Sequence, residues 1–393
     1  MKNVLIVMSS LSNGGAERSL VNFLNEADCT NKYRVDLLLF KRDGQCGFFL
    51  PQLPDQVRLL EPDPSLKYLY SPFSWRHPVY GAARLAGTGI ARLVSRRKGR
   101  QKSIRWKWFY SPLIKKLPGS YDVAAAYISG EMMYYTAEKV SAGKKLVWVH
   151  NDYRGAGFDR DMDGIYFRQF DRILSISDTC VDILKQVFPE EQEKMSCVPN
   201  LTSAAVIRAR SGEFIPPEYH KDQWNLLSIG RLNRQKGFDF AIQAASRMKT
   251  MGYRFQWFII GTGELREMLE RQIAGAGVQE QVILLGAREN PYPYIRGCDL
   301  LVQPSRYEGK SVVLDEAKIL GKPVLAANYS TVRDQIQDGR EGLIVEMNPI
   351  AIADGIVQLM ENGALRESIR QYLSAHDYGN AHEIREYEQL LDG

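Results

Sequence analysis

Two glutamates, Glu308 and Glu316, are the most specific chemical feature of the sequence. They stand eight positions apart in the segment YEGKSVVLDE (307–316). If Glu308 lies in a loop after an apolar strand and a helix begins near Ser311, both carboxylates can face one cleft. There they would accept hydrogen bonds from ligand hydroxyls, while the amides of residues 309–312 donate to ligand oxygens. An ordinary acidic first helical turn is the alternative, because the helix dipole favours acids there.

Two glycines follow the first predicted strand, in the segment SNGGAER (12–18). Gly14 and Gly15 allow backbone amides to approach a phosphate, and the helix start that follows adds partial positive charge. The spacing is neither G-x-G-x-x-G nor a P-loop with its Lys-Ser/Thr pair, which argues against NAD binding and ATP hydrolysis. A tight turn without a ligand remains the alternative.

Two cations accompany the strand that ends near Gly230, namely Arg231 and Lys236, and Gly237 follows before a helix. Cations beside a strand end can clamp a diphosphate without a metal ion. Solvated surface cations are the alternative, which is the usual situation of Lys and Arg.

Aliphatic strands alternate with amphipathic helices along most of the chain. The predicted strands are Val4–Met8, Val35–Phe40, Val123–Tyr127, Lys145–His150, Arg172–Ser175, Leu226–Gly230, Phe255–Gly261, Val282–Leu285, Leu300–Pro304, Pro323–Ala327 and Gly342–Val345. The predicted helices include Glu17–Asn25, Phe240–Met248, Glu264–Ala274 and Leu314–Leu320. This α/β alternation predicts parallel sheets covered by helices on both faces.

The stretch 200–223, with its adjacent prolines and small polar residues, predicts a domain boundary. We expect two doubly wound, Rossmann-like domains, residues 1–205 and 223–375, facing a ligand cleft at the carboxyl ends of their strands. Residues 376–393 are expected to form a closing helix, because apolar residues recur there at helical spacing.

Length and composition are those of a globular protein. The 393 residues are 45% apolar and 25% charged, and no apolar run reaches the ~18 residues of a membrane helix. Five dispersed cysteines without a C-x-x-C pair, and five histidines without H-x-x-x-H, argue against a disulfide framework or a metal site. With no signal-peptide pattern at the first residues, these features favour a cytoplasmic location.

Residues 65–121 hold thirteen Lys and Arg and no acid, and the aromatic residues that interleave with the cations include Trp75, Tyr80, Trp106, Trp108, Phe109 and Tyr110. The rest of the chain carries 38 basic and 46 acidic residues. The segment is typical of a surface that contacts anionic membrane. An ordinary basic face is the alternative, and nucleic-acid binding is disfavoured because no nucleic-acid motif accompanies the charge.

These motifs together resemble glycosyltransferase family 4, retaining enzymes of the GT-B fold that use nucleotide sugars. The resemblance is carried by GGAER from Gly14, GR at Gly230, KG at Lys236, GTGEL from Gly261, and the two glutamates. It is strongest over residues 225–348 and is weak or absent over residues 45–120.

The resemblance implies a role for each site residue. Arg231 and Lys236 would neutralise the donor diphosphate, Gly15 would present its backbone to a phosphate, and Glu316 would hold the ribose. Glu308 would hold the transferred sugar, His150 would lie near the reacting centre, and Arg288 would lie near the base. The catalytic candidates are therefore His150, Arg231, Lys236 and Glu308. The donor-binding candidates are Gly14, Gly15, Gly230, Arg231, Lys236, Arg288, Glu308, Gly309, Lys310, Ser311, Val312 and Glu316.

Lys310 and Ser311 depart from the family pattern, which has an apolar or aromatic residue followed by proline. Lys310 would meet an acidic sugar or face solvent, and we favour solvent. Asp161-Met162-Asp163 is a D-x-D motif, which binds a metal ion in another glycosyltransferase fold. We interpret it here as a solvated acidic loop, because no apolar strand precedes it.

The sequence thus predicts a hexosyltransferase that uses a nucleotide diphosphate sugar, UDP-linked, with no metal ion or further cofactor. The acceptor implied by the resemblance is a lipid-linked saccharide of capsule, O-antigen or exopolysaccharide synthesis, at the inner face of the plasma membrane. A nucleotide-sugar 2-epimerase and a non-catalytic glycan- or membrane-binding scaffold are the alternatives.

Overall fold

The computed structural model describes residues 1–12, 14–27, 32–42, 44–70 and 77–392. The chain divides into two compact units. The first contains residues 1–200 together with the described residues from Glu383 onward, and the second contains Leu201–His382. In the described part of the chain, every helix is too short or too polar to cross a bilayer.

The first unit is built around a parallel sheet. Its strands are β1 Lys2–Met8, β2 Tyr33–Leu39, β3 Arg58–Leu60, β4 Tyr121–Ala126, β5 Ala142–Val149, β6 Arg172–Ser175 and β7 Met195–Cys197. Its helices are α1 Gly15–Glu26, α2 Pro64–Tyr70, α3 Pro78–Val94, α4 Lys98–Arg105, α5 Glu131–Lys139, α6 Arg160–Phe167 and α7 Asp178–Val187, and a short π-helix spans Trp106–Tyr110. The strand order is β3-β2-β1-β4-β5-β6-β7.

The second unit has a smaller parallel sheet. Its strands are β8 Trp224–Ile229, β9 Phe255–Ile260, β10 Val282–Gly286, β11 Leu300–Gln303, β12 Val324–Ala327 and β13 Gly342–Val345. Its helices are α8 Ala204–Arg210, α9 Phe238–Thr250, α10 Arg266–Gly275, α11 Tyr292–Gly297, α12 Val312–Ile319, α13 Pro349–Glu361 and α14 Gly363–Ser374. The strand order is β10-β9-β8-β11-β12-β13.

The order of strands fixes where each sheet can hold a ligand. From β8 the chain builds the sheet outward through β9 and β10, and then through β11 to β13 on the other side. In the first unit β1 has the same position, between β2 and β4. A crevice opens at such a switch point, at the carboxyl ends of the two central strands. The loops after β8 and β11, and those after β1 and β4, are therefore the places to look for a site.

The last helix, α15 (Ile384–Asp392), belongs to the first unit. Tyr387 is 1% exposed and stacks on Phe23 with ring centroids 4.9 Å apart. Its hydroxyl donates to the carbonyl of Pro199 at 2.9 Å. The helical spacing of apolar residues in this segment therefore serves to pack α15 on the body of that unit.

The boundary between the units lies after Asn200, earlier than the predicted end of the first domain at residue 205. The stretch 200–223, predicted as a domain boundary, belongs from Leu201 onward to the second unit, where Ile207 of α8 is buried in the core. Tyr219 of the same stretch donates to the carbonyl of Tyr294 at 3.0 Å. Residues 376–382 also stay with the second unit, so the final helix begins later than predicted.

Candidate active site

The loop after β8 places Lys236 at the switch point of the second sheet. Gly230 continues the strand ladder, with its amide donating to the carbonyl of Ile260 at 2.9 Å. Asn233 then accepts a hydrogen bond from the amide of Lys236 at 3.2 Å and so starts a short 3₁₀ turn. Arg231, next to Gly230, is exposed. Both predicted cations thus stand at the carboxyl end of β8.

Gly237 ends that turn in a left-handed conformation, with φ of +66°. A Cβ there would lie 2.0 Å from the carbonyl oxygen of Pro304, the residue that follows β11. The two loops at the switch point therefore approach each other as closely as a glycine permits.

Gly237→Ala is expected to lower the free energy of unfolding by roughly 2–4 kcal/mol, because it adds a backbone clash to an unfavourable φ. Gly252→Ala is the matched control, since Gly252 has φ of +84° and nothing within 4 Å of its missing Cβ. Gly252→Ala is expected to lower the free energy of unfolding by about 1 kcal/mol. Urea unfolding of the two variants would measure the difference, and equal losses would contradict the close approach of the loops.

Glu308 lies in the loop after β11 and is 5% exposed. Its Oε1 accepts hydrogen bonds from Lys236 Nζ at 2.7 Å, Gln303 Nε2 at 2.8 Å and Ser305 Oγ at 2.6 Å. The structure thus brings together two site residues that stand far apart in the sequence. Three donors on one oxygen hold the carboxylate in place and satisfy its buried charge.

Arg306 fixes the β11 loop against α9. Its guanidinium donates to both oxygens of Asp239, at 2.8 and 2.7 Å, and lies 4.0 Å from the ring centroid of Phe240. Its amide donates to the carbonyl of Gln235 at 2.8 Å. The sequence did not predict these positioning residues, because nothing in their local pattern links residues 239 and 306.

Ser311 is the N-cap residue of α12, which confirms the predicted helix start. Gln335 accepts from its amide at 2.7 Å and donates to its carbonyl at 2.9 Å. Gly309 and Val312 are buried on either side of it, and Glu316 is 1% exposed within α12. The hydroxyl of Ser311 is buried and forms no hydrogen bond to any described residue.

Lys310 does not simply face solvent, so that interpretation of the sequence was wrong. Its Nζ lies 3.8 Å from Asp315 and its side chain is 21% exposed. Asp315 is also 3.9 Å from Lys318, whose Nζ donates to the carbonyl of Gln335 at 2.6 Å. The sequence does not reveal Asp315 as the ion-pair partner of Lys310, because nothing in it fixes the direction in which a loop lysine points.

Arg288, just after β10, makes its hydrogen bonds inside the second unit. Its Nε donates to the hydroxyl of Tyr294 at 3.0 Å, Nη1 to the carbonyl of Leu285 at 2.6 Å, and Nη2 to Glu218 at 3.3 Å. The side chain therefore braces the segment before β8 against α11. A contact between this loop and a base stays a prediction.

The glycine loop of the first unit leads directly into α1. Gly14 precedes the helix with an extended backbone, and Gly15 is exposed at its first position. A Cβ on Gly14 would lie 2.2 Å from Glu17 Oε2, and Ser12 Oγ donates to Glu17 Oε1 at 2.9 Å. Glycine at position 14 therefore leaves room for the Glu17 carboxylate at the start of α1.

His150 follows β5 and is 8% exposed. Its ring lies against Tyr127, with centroids 5.2 Å apart, and neither ring nitrogen has a hydrogen-bond partner among the described residues. Burial lowers the pKa of His150 to about 4, so the imidazole is neutral at neutral pH. A buried neutral imidazole with both nitrogens available is suited to bind a hydroxyl group.

His150 also predicts a pH dependence of stability. Its folded pKa of about 4 lies below the usual value of 6.5, so its contribution is present above pH 6.5 and is lost as the pH falls toward 4. When the pH is lowered from about 7.5 to about 5, the free energy of unfolding of the wild type should fall by roughly 2 kcal/mol more than that of His150→Gln. His382→Gln, at an exposed histidine, is the control and should behave as the wild type. Equal pH dependence of wild type and His150→Gln in urea unfolding would contradict the buried neutral state.

The D-x-D motif is not a solvated loop, and that interpretation was wrong. Asp161 is exposed, but both aspartates lie in α6 and Asp163 is 1% exposed. Asp163 accepts hydrogen bonds from the hydroxyls of Tyr134 at 2.5 Å and Tyr153 at 2.6 Å. Burial raises its pKa to about 6, although these hydrogen bonds oppose the rise. Its partners come from elements that the local sequence does not reveal.

No group of three or more His, Cys, Asp or Glu side chains suited to a metal ion occurs among the residues that the structure describes. The candidates of the second unit other than Arg288, which follows β10, lie in the loops after β8 and β11 and in α12. Those of the first unit, Gly14, Gly15 and His150, follow β1 and β5.

The second unit also carries the sequence pattern of a known enzyme domain. Residues 213–375 match the family of glycosyl transferases group 1. Every site candidate of the second unit lies inside this match. The matched region thus contains the ion pair of Lys236 and Glu308.

Two curated enzymes are similar to part of the chain. The alpha-D-kanosaminyltransferase of Streptomyces kanamyceticus is 30% identical over 37% of this chain and 39% of its own length. The N-acetylgalactosamine-N,N'-diacetylbacillosaminyl-diphospho-undecaprenol 4-alpha-N-acetylgalactosaminyltransferase of Campylobacter jejuni is 32% identical over 38% of this chain and 40% of its own length. The chain thus spans about two fifths of the length of these curated relatives.

The fold is shared over a longer stretch. HepE of Anabaena, solved in complex with UDP-glucose, matches with a TM-score of 0.73 at 16% identity, covering 100% of this chain and 99% of HepE. Together with the two parallel sheets, this likeness confirms the predicted GT-B fold of two Rossmann-like domains.

Proposed function

We propose that the protein is a retaining glycosyltransferase of family 4 that transfers a hexose from a UDP-linked sugar to a lipid-linked saccharide. The observation that carries the proposal is the partly buried ion pair of Lys236 and Glu308, at the switch point of the region that matches the glycosyl transferases group 1 family. A cation and a carboxylate at one strand end suit the two halves of such a donor, its diphosphate and its sugar hydroxyls.

Binding of the donor would exchange the partner of Lys236. The ammonium, 17% exposed beside Glu308, would turn to the diphosphate together with Arg231. Glu308 would then accept hydrogen bonds from sugar hydroxyls while Gln303 and Ser305 keep it in place. The site would thus keep its charges paired with and without donor, which avoids leaving a buried charge uncompensated.

The start of α12 supplies neutral donors. The amides of Gly309, Lys310 and Val312 would approach donor oxygens, and Ser311, whose amide donates to Gln335, adds its unpartnered hydroxyl. Glu316 would hold the ribose hydroxyls, Gly230 would allow close approach of the diphosphate, and the loop around Arg288 would lie near the base. These assignments follow the family resemblance of the sequence.

The proposed sugar transfer depends on stabilising the charge of the departing diphosphate rather than on a nucleophilic side chain. The transition state is oxocarbenium-like, so the enzyme must orient the reactants and stabilise the departing diphosphate. Arg231 and Lys236 supply positive charge for this purpose, and we propose that no metal ion or other cofactor takes part. From the first unit, Gly15 would offer its amide to a phosphate beside Gly14, and neutral His150 would hydrogen-bond the reacting sugar.

The acceptor and the place of action complete the proposal. The Campylobacter relative is named for an acceptor carried on diphospho-undecaprenol. We propose an acceptor of the same kind, a lipid-linked saccharide in cell-surface polysaccharide synthesis, which would bring the protein to the anionic inner face of the plasma membrane. The basic segment 65–121 supports this location by its charge.

A thermal-shift screen against a panel of nucleotides and nucleotide sugars tests donor binding. UDP and one UDP-sugar are expected to raise the melting temperature by roughly 5–10 °C when present at about 100 times Kd. ADP and GDP should have little effect. A panel in which no uridine nucleotide raises the melting temperature would contradict the proposal.

A further inference from the structure

Helix α3 buries small residues and exposes large aliphatic ones, which is the reverse of an ordinary surface helix. The positions it buries are small, namely Gly81, Gly87 and Ala91. Its large aliphatic side chains are between 44% and 88% exposed, and they are Val79, Leu85, Ile90, Leu93 and Val94. A helix that met only water on its outer face would show the reverse pattern.

The packing of α3 explains why its aliphatic side chains point outward. A Cβ on Gly87 would lie 3.0 Å from the ring of Phe109, which follows α4. Larger residues at the buried positions would push the helix away from the π-helix Trp106–Tyr110. The sequence therefore places glycine and alanine against the protein and leaves the apolar bulk on the surface.

The exposed apolar side chains of the protein concentrate on this one region. Among the described residues, thirteen large hydrophobic side chains are exposed, and six of them fall between positions 79 and 108. The sixth is Trp108, which is 68% exposed. Scattered exposed hydrophobics are normal, but a cluster of this kind marks an interaction surface.

The positive charge around α3 indicates that its binding partner is anionic. The exposed cations of this region are Arg92, Arg96, Arg97, Lys98, Arg100, Lys102 and Lys107. Lys107 Nζ lies 5.8 Å from the ring centroid of Trp108, so a cation and an interfacial aromatic are adjacent. A second copy of this basic face would be repelled by its charge. A lipid bilayer with anionic headgroups and apolar acyl chains complements both the cations and the aliphatic side chains. Trp75 and Arg76 of the basic segment lie outside the described residues.

We infer that α3 is a membrane-inserting helix, which lies flat at an anionic bilayer with its aliphatic face among the acyl chains. At about 1.5 Å per residue its 17 residues extend about 25 Å along the surface. The cations would contact lipid phosphates, and Trp108 would sit at the headgroup level. The inference rests on the proposed function for its purpose, but the insertion itself does not depend on transferase activity.

Binding to vesicles of phosphatidylcholine with and without phosphatidylglycerol tests the inference. The variant is the triple substitution Leu85→Gln, Ile90→Gln and Leu93→Gln, which keeps good helix-forming residues at exposed positions. It is expected to bind anionic vesicles about 100-fold more weakly than the wild type, because the acyl-chain contact is lost. The matched control is Val206→Gln, Ile215→Gln and Ile350→Gln, three exposed aliphatics of the second unit, and it should bind as the wild type.

Insertion is distinguished from simple charge attraction by two further results. Vesicles of brominated lipid should quench the tryptophan fluorescence of the wild type, and Trp108→Phe should remove most of that quenching. High salt should weaken wild-type binding without abolishing it, because the apolar contact is not screened.

Three results would overturn the inference. They are wild-type affinity of the triple variant, quenching that does not depend on Trp108, and a dimer in solution that the triple variant converts to a monomer. Failure of the donor screen with intact vesicle binding would instead overturn the proposed function and leave the membrane helix in place.

Discussion

Replacing Lys236 with alanine is expected to lower the rate of sugar transfer by about 2–4 kcal/mol of transition-state stabilisation, or roughly 30- to 1,000-fold. The ammonium is held at 2.7 Å from Glu308 and would meet the departing diphosphate, where negative charge increases most. Arg231→Ala is expected to act in the same direction. Initial rates of UDP release with saturating acceptor would measure both losses.

Arg234→Ala is the matched control, because Arg234 is exposed in the same short turn as Lys236. It should retain transfer within a few-fold of the wild type. Lys236→Arg keeps the charge but changes its geometry, and it should recover only part of the rate. Wild-type activity should also survive EDTA. A rate lost in EDTA and restored by Mg²⁺ or Mn²⁺ would contradict the proposed role of the cations.

Substitutions of Glu308 and Glu316 are expected to affect different steps, turnover for the first and UDP binding for the second. Glu316→Gln should weaken the binding of UDP itself by roughly 10-fold or more, because the ribose is part of UDP and a charged acceptor is lost. Glu308→Gln should leave UDP affinity nearly unchanged while it lowers turnover of the sugar nucleotide by roughly 100-fold. Calorimetry with UDP, together with turnover measurements, would separate the two.

Asp315→Asn is a useful control for that pair, since Asp315 is a carboxylate of α12 that already contacts Lys310 and Lys318. It is expected to lower stability more than UDP affinity. If Glu308→Gln and Glu316→Gln weakened UDP binding equally, the assignment of sugar to one glutamate and ribose to the other would be wrong.

The architecture was predictable from the sequence because its strands are near-continuous aliphatic runs. Residues 4–8 illustrate this, with none more than 1% exposed, as expected for a strand covered on both faces. The strands that the sequence analysis missed are β3 and β7, at the two edges of the first sheet. Each has three residues, too few for an alternating or continuous pattern to stand out from a loop.

The site was predictable as a set of residues but not as a set of contacts. The loop positions of Lys236 and Glu308 follow from the strands before them, yet their pairing depends on β8 and β11 being neighbours in the sheet. Strand order is a long-range property, and local periodicity does not report it. For the same reason the sequence did not reveal the pair of Arg306 and Asp239, which holds the β11 loop against α9.

The two corrected interpretations have a common physical origin. Asp163 and Lys310 are charged residues in polar local sequence, where solvent exposure is the ordinary outcome. Tertiary contacts decide otherwise, through Tyr134 and Tyr153 for the first and through Asp315 for the second. The inverted surface of α3 was missed for a similar reason, because apolar periodicity shows that a helix has an apolar face but not whether that face is covered.

Acceptor-dependent release of UDP is the most direct test of the account. The full chain would be incubated with the UDP-sugar that stabilises it, with and without a lipid-linked saccharide, and UDP and glycoside would be quantified together. A retaining transferase should release one UDP for each glycosidic bond formed, keep the anomeric configuration, and release no appreciable UDP without acceptor. UDP released at the same rate without acceptor, together with a free or epimerised sugar, would contradict the proposed function.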